Sequence, residues 1–209
     1  MENIQSLVDL ASDPIGSGFE EAFLPQSLNS QALKLLSKKD GFYAFEGALL
    51  VRPLRDAPSV LGLVTWNSFD LWKSHYSDAG TNIQSYTFFA ENVFGEQFFL
   101  ADDWVGQFDP ETGESHKIAD NLDAWAGEVL ADCDYLTGHN LARQWQEING
   151  RLPDGSRLIP KVPFVLQGEF DVTNLVAKPE LEAITIRAQL ASQLIGLKDG
   201  ETIAFEITD

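Results

Sequence analysis

The chain has 209 residues, of which 44% are hydrophobic and 11% aromatic, so it can bury the core of one domain and is not a disordered tail. It carries 14 basic and 32 acidic residues, which gives a net charge of −18. A charge of this sign repels nucleic acids and anionic lipids, and we expect neither as a partner. The chain contains no run of about 18 apolar residues, the length that spans a membrane.

The start of the chain and its cysteine content both indicate a cytoplasmic protein. Residues 1–14 lack the basic start and the apolar run of a signal peptide. Cys133 is the single cysteine, so an internal disulfide cannot form, as is usual for proteins of reducing compartments.

The acidic residues concentrate in the middle of the chain. Residues 61–140 hold 14 acidic and 2 basic residues, which accounts for two thirds of the net charge. This segment either attracts a basic partner and speeds its association, or only keeps the protein in solution. The composition leaves both interpretations open.

Helices are predicted first along the chain. Residues 1–28 are predicted as an N-terminal helical segment, whose first helix ends at the Asp-Pro pair 13–14. A second helix begins with Asn29 or Ser30 as its cap and ends at the Asp-Gly pair 40–41.

Short runs rich in aromatic and aliphatic residues follow, and Gly, Asp and Asn separate them. Runs of this kind predict the strands of an antiparallel meander. We also expect a short helix over 70–76, between the second run and the third. The predicted strands are 42–53, 60–66, 85–94, 96–103, 104–109 and 116–120.

Helices return after the strands. Asn121 is predicted to cap a helix that carries Trp125 on its apolar stripe, and another helix ends at the Asn-Gly pair 149–150. The order of helices, strands and helices predicts an α+β fold with a central, mainly antiparallel sheet flanked by helices. We expect a single domain over residues 1–209.

Residues 151–209 are predicted as a C-terminal strand–helix–strand extension of that domain. The segment 151–163 contains three prolines and is predicted to be irregular, and 164–177 is predicted to be extended. Pro179 suits the first turn of a helix that runs to Gly196. The alternating pattern over 201–208 then predicts a half-buried strand.

The sequence contains none of the motifs that bind phosphates, dinucleotides or zinc, so we expect no cofactor and no metal. No two of its histidines, His75, His116 and His139, have the spacing of neighbours on a helix. Cys133 and His139 are six residues apart and would lie on different faces of one helix. A buried free cysteine is therefore expected, while a catalytic pair that meets only in the fold stays an alternative.

Neighbouring acids raise the alternative of a hydrolase, which uses one buried and one ionised carboxylate. The candidate pairs lie where turns and helix ends are expected, and acidic side chains cap backbone N–H groups at such positions. We therefore expect no catalytic residue among them. The pairs are Asp102 with Asp103, Asp120 with Asp123, and Asp132 with Asp134.

The stretch VGQFDPETGE (105–114) places three carboxylates within six residues. A calcium loop that began at Asp109 would need a glycine at its sixth position, where this chain has Glu114. Pro110 and Gly113 instead suit the backbone angles of a tight turn. We predict a turn between two strands rather than a metal loop.

Four stretches occur in a characteristic order: GFYAFEGALLVRP, FFAENVFGEQFFL, VGQFDPETGE and the helix with Leu122 and Trp125. Taken together, they resemble the SMI1/KNR4 or SUKH superfamily. The segment 157–177 also resembles a C-terminal region of bacterial members, in which PFVLGG precedes NL, although Gln167 replaces the first of those glycines. The resemblance covers roughly residues 30–207, and bacterial immunity proteins with a GAD-like domain are a close competing assignment.

The resemblance implies an α+β fold without catalytic residues. Many bacterial members are immunity proteins that bind and neutralise a toxin, often a nuclease or a deaminase, and fungal relatives regulate cell-wall synthesis. We therefore expect a non-enzymatic binding protein whose partner is a basic toxin. A regulatory or adaptor protein without a toxin partner is the alternative, and a hydrolase is a third.

The acidic middle segment and the resemblance together suggest a contact surface. We expect it to use the acids of segment 91–123 with exposed aromatic residues near Trp104 and Phe108, because aromatic anchors ringed by polar groups are typical of interfaces. Core packing of Trp104 is the other interpretation. The predicted contact residues are Glu91, Glu96, Asp102, Asp103, Trp104, Phe108, Asp109, Glu111 and Glu114.

Overall fold

A computed structural model describes residues 2–18, 30–79, 83–102 and 104–195 and has the predicted α+β fold. Six strands form a sheet in which each pairs antiparallel with the next along the chain, so the predicted meander is confirmed. Two later strands form a separate antiparallel pair. The strands are β1 (Phe42–Ala44), β2 (Leu49–Val51), β3 (Thr87–Asn92), β4 (Gln97–Ala101), β5 (Trp104–Phe108), β6 (Ser115–Ala119), β7 (Ser156–Pro160) and β8 (Leu175–Pro179).

Helices precede, interrupt and follow the sheet. Within the described ranges, none is long and apolar enough to cross a membrane. Short 3-10 helices occupy Phe45–Gly47, Lys73–Ala79, Ile83–Ser85, Phe164–Leu166 and Val172–Asn174. The α-helices are α1 (Glu2–Leu10), α2 (Ser30–Lys38), α3 (Leu63–Trp66), α4 (Leu122–Ala131), α5 (Cys133–Thr137), α6 (His139–Asn149) and α7 (Glu180–Ile195).

One face of the six-stranded sheet is covered by α1, α2 and α4. Phe89 and Phe98 lie on this face and pack edge-on against Trp125 of α4, with ring centroids 4.9 and 5.5 Å apart. Asn121 caps α4 as predicted, because its side chain accepts a hydrogen bond from the Ala124 N–H at 2.9 Å. Complete burial of an apolar side chain such as that of Phe89 or Phe98 contributes about 1.5–3 kcal/mol.

The other face is covered by α3, the 3-10 helix Lys73–Ala79 and α7. Trp66 and Trp72 are fully buried here, and the Trp72 ring packs edge-on against Phe88 at 4.9 Å. Their indole N–H groups have partners: Trp72 donates to the Trp66 carbonyl and Trp66 donates to Gln97 Oε1, both at 2.9 Å. Because both faces are covered, every residue of β3 and β4 is buried, including the polar residues Glu91, Asn92 and Gln97.

Two predicted elements are wrong. Segment 60–66 is not a strand but ends in α3, since the Asp56 carboxylate accepts from the Gly62 N–H at 2.7 Å and from the Thr65 hydroxyl at 3.0 Å and holds the first helical turn. Segment 151–163 is not irregular throughout, because it contains β7, and Pro160 stands at the end of that strand, where a missing N–H is tolerated.

Two further segments are more broken than predicted. Segment 42–53 is two strands joined by a turn in which Phe45 and Glu46 have φ values of 51° and 55°. Segment 164–177 contains two 3-10 helices before β8 begins. The predicted strand 201–208 and residues 19–28 of the N-terminal segment lie outside the described residues.

Candidate functional site

Glu91 is one of the predicted contact residues, but the structure places it in the interior with 1% of its surface exposed. Its carboxylate lies 2.9 Å from Arg52 Nη2 and 2.6 Å from Arg157 Nε, and it accepts a hydrogen bond from Gln97 Nε2 at 2.6 Å. Burial alone would raise the pKa of Glu91, but the charges of Arg52 and Arg157 outweigh it and lower that pKa. The negative charge of Glu91 is therefore balanced by two arginines inside the protein.

Glu111 and Phe108 are also interior. Glu111 is 2% exposed, lies 3.4 Å from Arg187 Nε and accepts a hydrogen bond from the Val165 N–H at 3.0 Å. The predicted exposure of Phe108 is wrong: β5 directs its ring into the core, where it packs edge-on against Tyr76 at 4.9 Å. Neither side chain reaches the surface.

Four acidic side chains remain together around a concave surface, which we call the acidic groove. It has a volume of about 590 Å³ and lies between the turns β3–β4 and β5–β6 on one side and the start of α5 and α6 on the other. Among the described residues that line it, none is a lysine or an arginine. The four carboxylates belong to Glu96, Asp109, Glu114 and Asp134.

Glu96 is held at the groove by the β3–β4 turn. The Asn92 side chain accepts from the Glu96 N–H at 3.0 Å and donates to Glu96 Oε2 at 2.8 Å. Gly95 has a φ of 77° in this turn, an angle that a residue with a side chain rarely adopts. Gln107 Nε2 also donates to Glu96 Oε2, at 2.5 Å. Burial raises the pKa of Glu96, opposed by the charge of Arg187.

Asp109 and Glu114 are the two ends of the β5–β6 turn. The Asp109 N–H donates to the Glu114 carbonyl at 2.9 Å, and the Asp109 carboxylate accepts from the Glu111 N–H at 2.7 Å. Gly113 has a φ of 76° and donates its N–H to the Asp109 carbonyl at 2.8 Å. The predicted strand–turn–strand is therefore confirmed, and it leaves the Glu114 side chain exposed.

The opposite side of the groove is formed where α5 meets α6. The Asp132 side chain caps α5 by accepting from the Tyr135 N–H at 3.1 Å, and Tyr135 is 80% exposed. Gly138 joins the two helices with a φ of 72°, and a Cβ there would lie 2.5 Å from the Phe94 ring. A glycine is therefore required for both the backbone angle and the close packing.

An aromatic stack borders the groove. The ring of Phe170 stacks on Phe164 with centroids 3.8 Å apart, and Phe94 packs edge-on against both at 6.1 and 5.6 Å. Phe170 is nevertheless 69% exposed. The groove thus combines carboxylates with exposed aromatic surface, the pairing that receives cationic side chains.

The remaining predicted contact residues do not line the groove. In the β4–β5 register Gln97 pairs with Phe108 and Ala101 pairs with Trp104, so the turn that contains Asp102 lies at the far end of these strands from Glu96. The Trp104 ring is half-buried and packs edge-on against Phe99 at 5.4 Å. Asp103 lies outside the described residues. The predicted surface is therefore divided between the two ends of the sheet.

A larger depression of about 710 Å³ lies next to the β1–β2 turn, but its charges are mixed. Arg143 pairs with Glu147 at 3.3 Å and Arg151 with Asp154 at 2.7 Å. Pairing within the lining leaves little net charge for a ligand of either sign, so the acidic groove is the stronger candidate site.

The structure also brings Cys133 and His139 together, with Sγ and Nδ1 4.0 Å apart. They do not share one helix, which would have put them on different faces, because Gly138 ends α5 and precedes α6 between them. They meet in the fold, as the alternative allowed. Burial and the neighbouring Asp134 charge raise the pKa of the Cys133 thiol. A protonated thiol is a poor nucleophile, so this pair does not have the form of a cysteine protease site.

Comparisons with known proteins identify the fold but no family. No protein-family model matches the chain, and no curated protein matches its sequence. Among solved structures, the crystal structure of Atu4351 from Agrobacterium tumefaciens is similar, with a TM-score of 0.57 and 14% sequence identity over 90% of this chain and 89% of that one. Such a likeness concerns the fold alone. The SUKH resemblance stays a prediction.

The sequence identified three of the four groove carboxylates, Glu96, Asp109 and Glu114, but not the wall formed by α5 and α6. Asp134 was interpreted only as a capping residue, and Phe170 belonged to a segment predicted to be extended. The cluster Asp132-Cys133-Asp134 followed by an aromatic residue was the one local signal of that wall. Nothing local linked it to the β3–β4 turn, because the connection is tertiary.

Proposed function

We propose that this chain is a non-enzymatic protein-binding module, an immunity protein that binds and neutralises a basic bacterial toxin in the cytoplasm. The observation that carries the proposal is the acidic groove, whose described lining residues include four carboxylates and neither lysine nor arginine. A concave surface of one sign focuses its field, which raises the local concentration of a partner of opposite sign and its rate of association.

The chemistry of the groove favours arginine-rich partners. A guanidinium group binds carboxylates through two parallel hydrogen bonds and stacks on aromatic faces. Glu114 and Phe170 both line the groove and offer these two kinds of contact, and both side chains are exposed. Nuclease toxins carry such basic clusters because they bind phosphates, and a protein that covers the cluster blocks substrate.

Two other functions remain as competitors. A regulatory or adaptor protein would use the same groove for a cellular partner, and it has no toxin encoded beside its gene. The buried Glu96, whose pKa is raised, is the observation that favours a hydrolase. Against this, Glu96 Oε2 already accepts hydrogen bonds from Asn92 and Gln107, and the Asp109 carboxylate is part of a turn.

The test measures binding to the toxin domain encoded beside the gene, with the toxin immobilised and the full chain in solution. Phe170→Ala is expected to weaken binding about 30-fold, as for an aromatic anchor. Glu114→Lys is expected to weaken it about tenfold, mainly through slower association, and added salt will reduce the difference. Co-expression of the wild-type chain is expected to restore growth to cells that produce the toxin.

Matched controls lie elsewhere on the surface. Phe69→Ala removes an aromatic ring that is 42% exposed, and Asp120→Lys makes the same charge change at an exposed position outside the groove. If the groove variants bind as tightly as these controls, the groove is not the contact surface. If the wild-type chain binds no neighbouring toxin, the immunity proposal fails and the adaptor function is favoured.

A further inference from the structure

Three different metal-ligating side chains meet beside the groove, at the junction of α5 and α6. One ligand atom from each of Cys133, Asp134 and His139 lies within 4.8 Å of the other two. His139 Nδ1 is 4.0 Å from Cys133 Sγ and 3.7 Å from Asp134 Oδ1. The three ligand atoms are thus close together although the residues come from two helices.

These separations are close to those of a zinc site. Zinc binds sulfur at about 2.3 Å and nitrogen or oxygen at about 2.0–2.2 Å, in tetrahedral geometry. Two ligands of one tetrahedral ion are therefore about 3.3–3.8 Å apart. The two distances from His139 Nδ1, 4.0 and 3.7 Å, reach this range with shifts of a few tenths of an ångström, and the Cys133–Asp134 separation lies within 4.8 Å. Side-chain rotation supplies such shifts at half-buried positions such as Cys133 and His139.

One of the ligands has a partner that fixes its orientation, and a second has a carboxylate nearby. Asn140 Nδ2 donates to Asp134 Oδ2 at 2.6 Å, which leaves Oδ1 directed at the imidazole. His139 Nε2 is shielded from solvent, has no hydrogen-bond partner among the described residues, and lies 3.6 Å from Glu46 Oε2. A shift of the exposed Glu46 side chain by about half an ångström would let its carboxylate accept a hydrogen bond from the Nε2 proton and leave Nδ1 to bind a metal, as outer partners of ligating histidines do.

We propose that Cys133, Asp134 and His139 form a site for a zinc-type divalent cation, with Glu46 and Asn140 as its orienting partners. The donor set of sulfur, nitrogen and oxygen suits zinc and cobalt rather than calcium or magnesium, which prefer oxygen ligands alone. Three protein ligands leave the fourth position to water. The site does not depend on toxin binding, although Asp134 also lines the acidic groove.

The site exists because of the break between α5 and α6. Gly138 turns the chain with a φ of 72°, so that His139 begins a new helix and its ring returns toward Cys133. The Phe45 ring packs beside the imidazole, with centroids 6.0 Å apart, and limits its rotation. The same spacing on one continuous helix would separate the ligands.

The experiment titrates the full, reduced and metal-free chain with Co²⁺ and Zn²⁺. We expect one equivalent of Co²⁺ per chain to produce a thiolate-to-cobalt charge-transfer absorption, and Zn²⁺ to displace it. Cys133→Ser and His139→Asn are expected to lose this absorption. Glu46→Gln is expected to bind Zn²⁺ about tenfold more weakly in competition with a chromophoric chelator.

His75→Asn is the matched control, since it removes an exposed histidine outside the cluster and is expected to bind as the wild type does. Circular dichroism of each variant establishes that it is folded. Absence of the charge-transfer absorption in the wild type, or its persistence at full intensity in folded Cys133→Ser or His139→Asn, would overturn the proposal. Unchanged affinity in Glu46→Gln would overturn the role given to Glu46.

Discussion

The acidic residues of the interior and those of the groove have different surroundings. In the interior, Glu91 and Glu180 share Arg52, whose guanidinium also stacks on the Trp66 ring at 3.5 Å. At the groove, Glu114 lies on the surface among other carboxylates, and the part of the lining that the structure describes has no lysine or arginine. The two regions are joined by the short turn between β3 and β4.

An acidic segment of the sequence is therefore not the same as an acidic surface of the fold. Arg157 and Arg187 come from the C-terminal part of the chain, and they neutralise Glu91 and Glu111 of the middle segment. These buried ion pairs link β7 and α7 to the six-stranded meander. Arg187 also reaches Asp109 at the groove, 3.4 Å from its Nη2, whereas Glu114 is exposed and available to a partner. Acidic residues therefore stabilise the interior at some positions and offer contacts to a partner at others.

The largest effect is expected when the interior network loses its central charge. Glu91→Gln keeps the shape of the side chain but leaves Arg52 and Arg157 with only Glu180 as a neighbouring anion. Removing one partner of a buried ion pair typically costs about 3–5 kcal/mol, because the remaining charge stays buried. Urea unfolding at neutral pH is expected to show a loss of that size in the free energy of unfolding.

Glu114→Gln is the matched control for that substitution, since it removes the same charge from the groove. We expect its free energy of unfolding to stay within about 0.5 kcal/mol of the wild type, as for other exposed positions. Equal unfolding midpoints for the two variants would contradict the distinction between a structural interior and a structurally neutral groove.

A smaller effect is expected at Arg187, which connects the two regions. Its Nη1 donates to the Phe94 carbonyl, its Nε lies 3.4 Å from Glu111, and its Nη2 lies 3.4 Å from the groove residue Asp109. Arg187→Met keeps the apolar stem and is expected to cost about 2–3 kcal/mol of unfolding free energy. The longer separations make this loss smaller than that of Glu91→Gln.

A double variant separates the causes of this loss. In Arg187→Met/Glu111→Gln the buried carboxylate no longer lacks its counter-charge, so part of the stability is expected to return in a double-mutant cycle. A double variant that is no more stable than Arg187→Met would mean that the lost contact to Phe94, rather than the unpaired Glu111, accounts for the destabilisation.

The sequence was most informative where local rules decide the structure. Asn121 as a helix cap and Gly113 in the β5–β6 turn were predicted correctly, because capping and positive φ are properties of neighbouring residues. Segment 60–66 was predicted wrongly because its structure depends on a residue outside the segment. Its apolar run fits a strand or a buried helix, and the Asp56 contacts that favour the helix are not visible in a periodic pattern.

The groove could be predicted only in part, because its two walls meet through tertiary packing. The acids of the turns were identified from their number, but Glu111 and Glu91 could not be separated from Glu114 without knowing where Arg157 and Arg187 lie. The Cys133–His139 contact depends on a helix break at a single glycine. The sequence left open that these two residues meet, because their spacing alone does not show where one helix ends and the next begins.

The smallest effect is expected at Glu96, where the sign of the pH dependence distinguishes the two regions. Burial, with the neighbouring Asp109 charge, raises the pKa of Glu96 above its ordinary 4.5, although Arg187 opposes this. Between the ordinary and the raised pKa the folded protein binds more protons than the unfolded chain, so stability falls as pH rises. Glu96→Gln lacks this penalty and is expected to gain stability relative to the wild type as pH rises above about 4.5.

Glu91→Gln provides the opposite slope in the same measurement. The pKa of Glu91 is lowered by Arg52 and Arg157, so the stability that its carboxylate contributes is present above the ordinary pKa and is lost as pH falls through the lowered one. Urea midpoints between about pH 3 and pH 8 should therefore diverge in opposite directions for the two variants. Parallel curves would mean that positive charge stabilises the Glu96 carboxylate as it does that of Glu91. The groove would then carry less net negative charge than its four carboxylates imply.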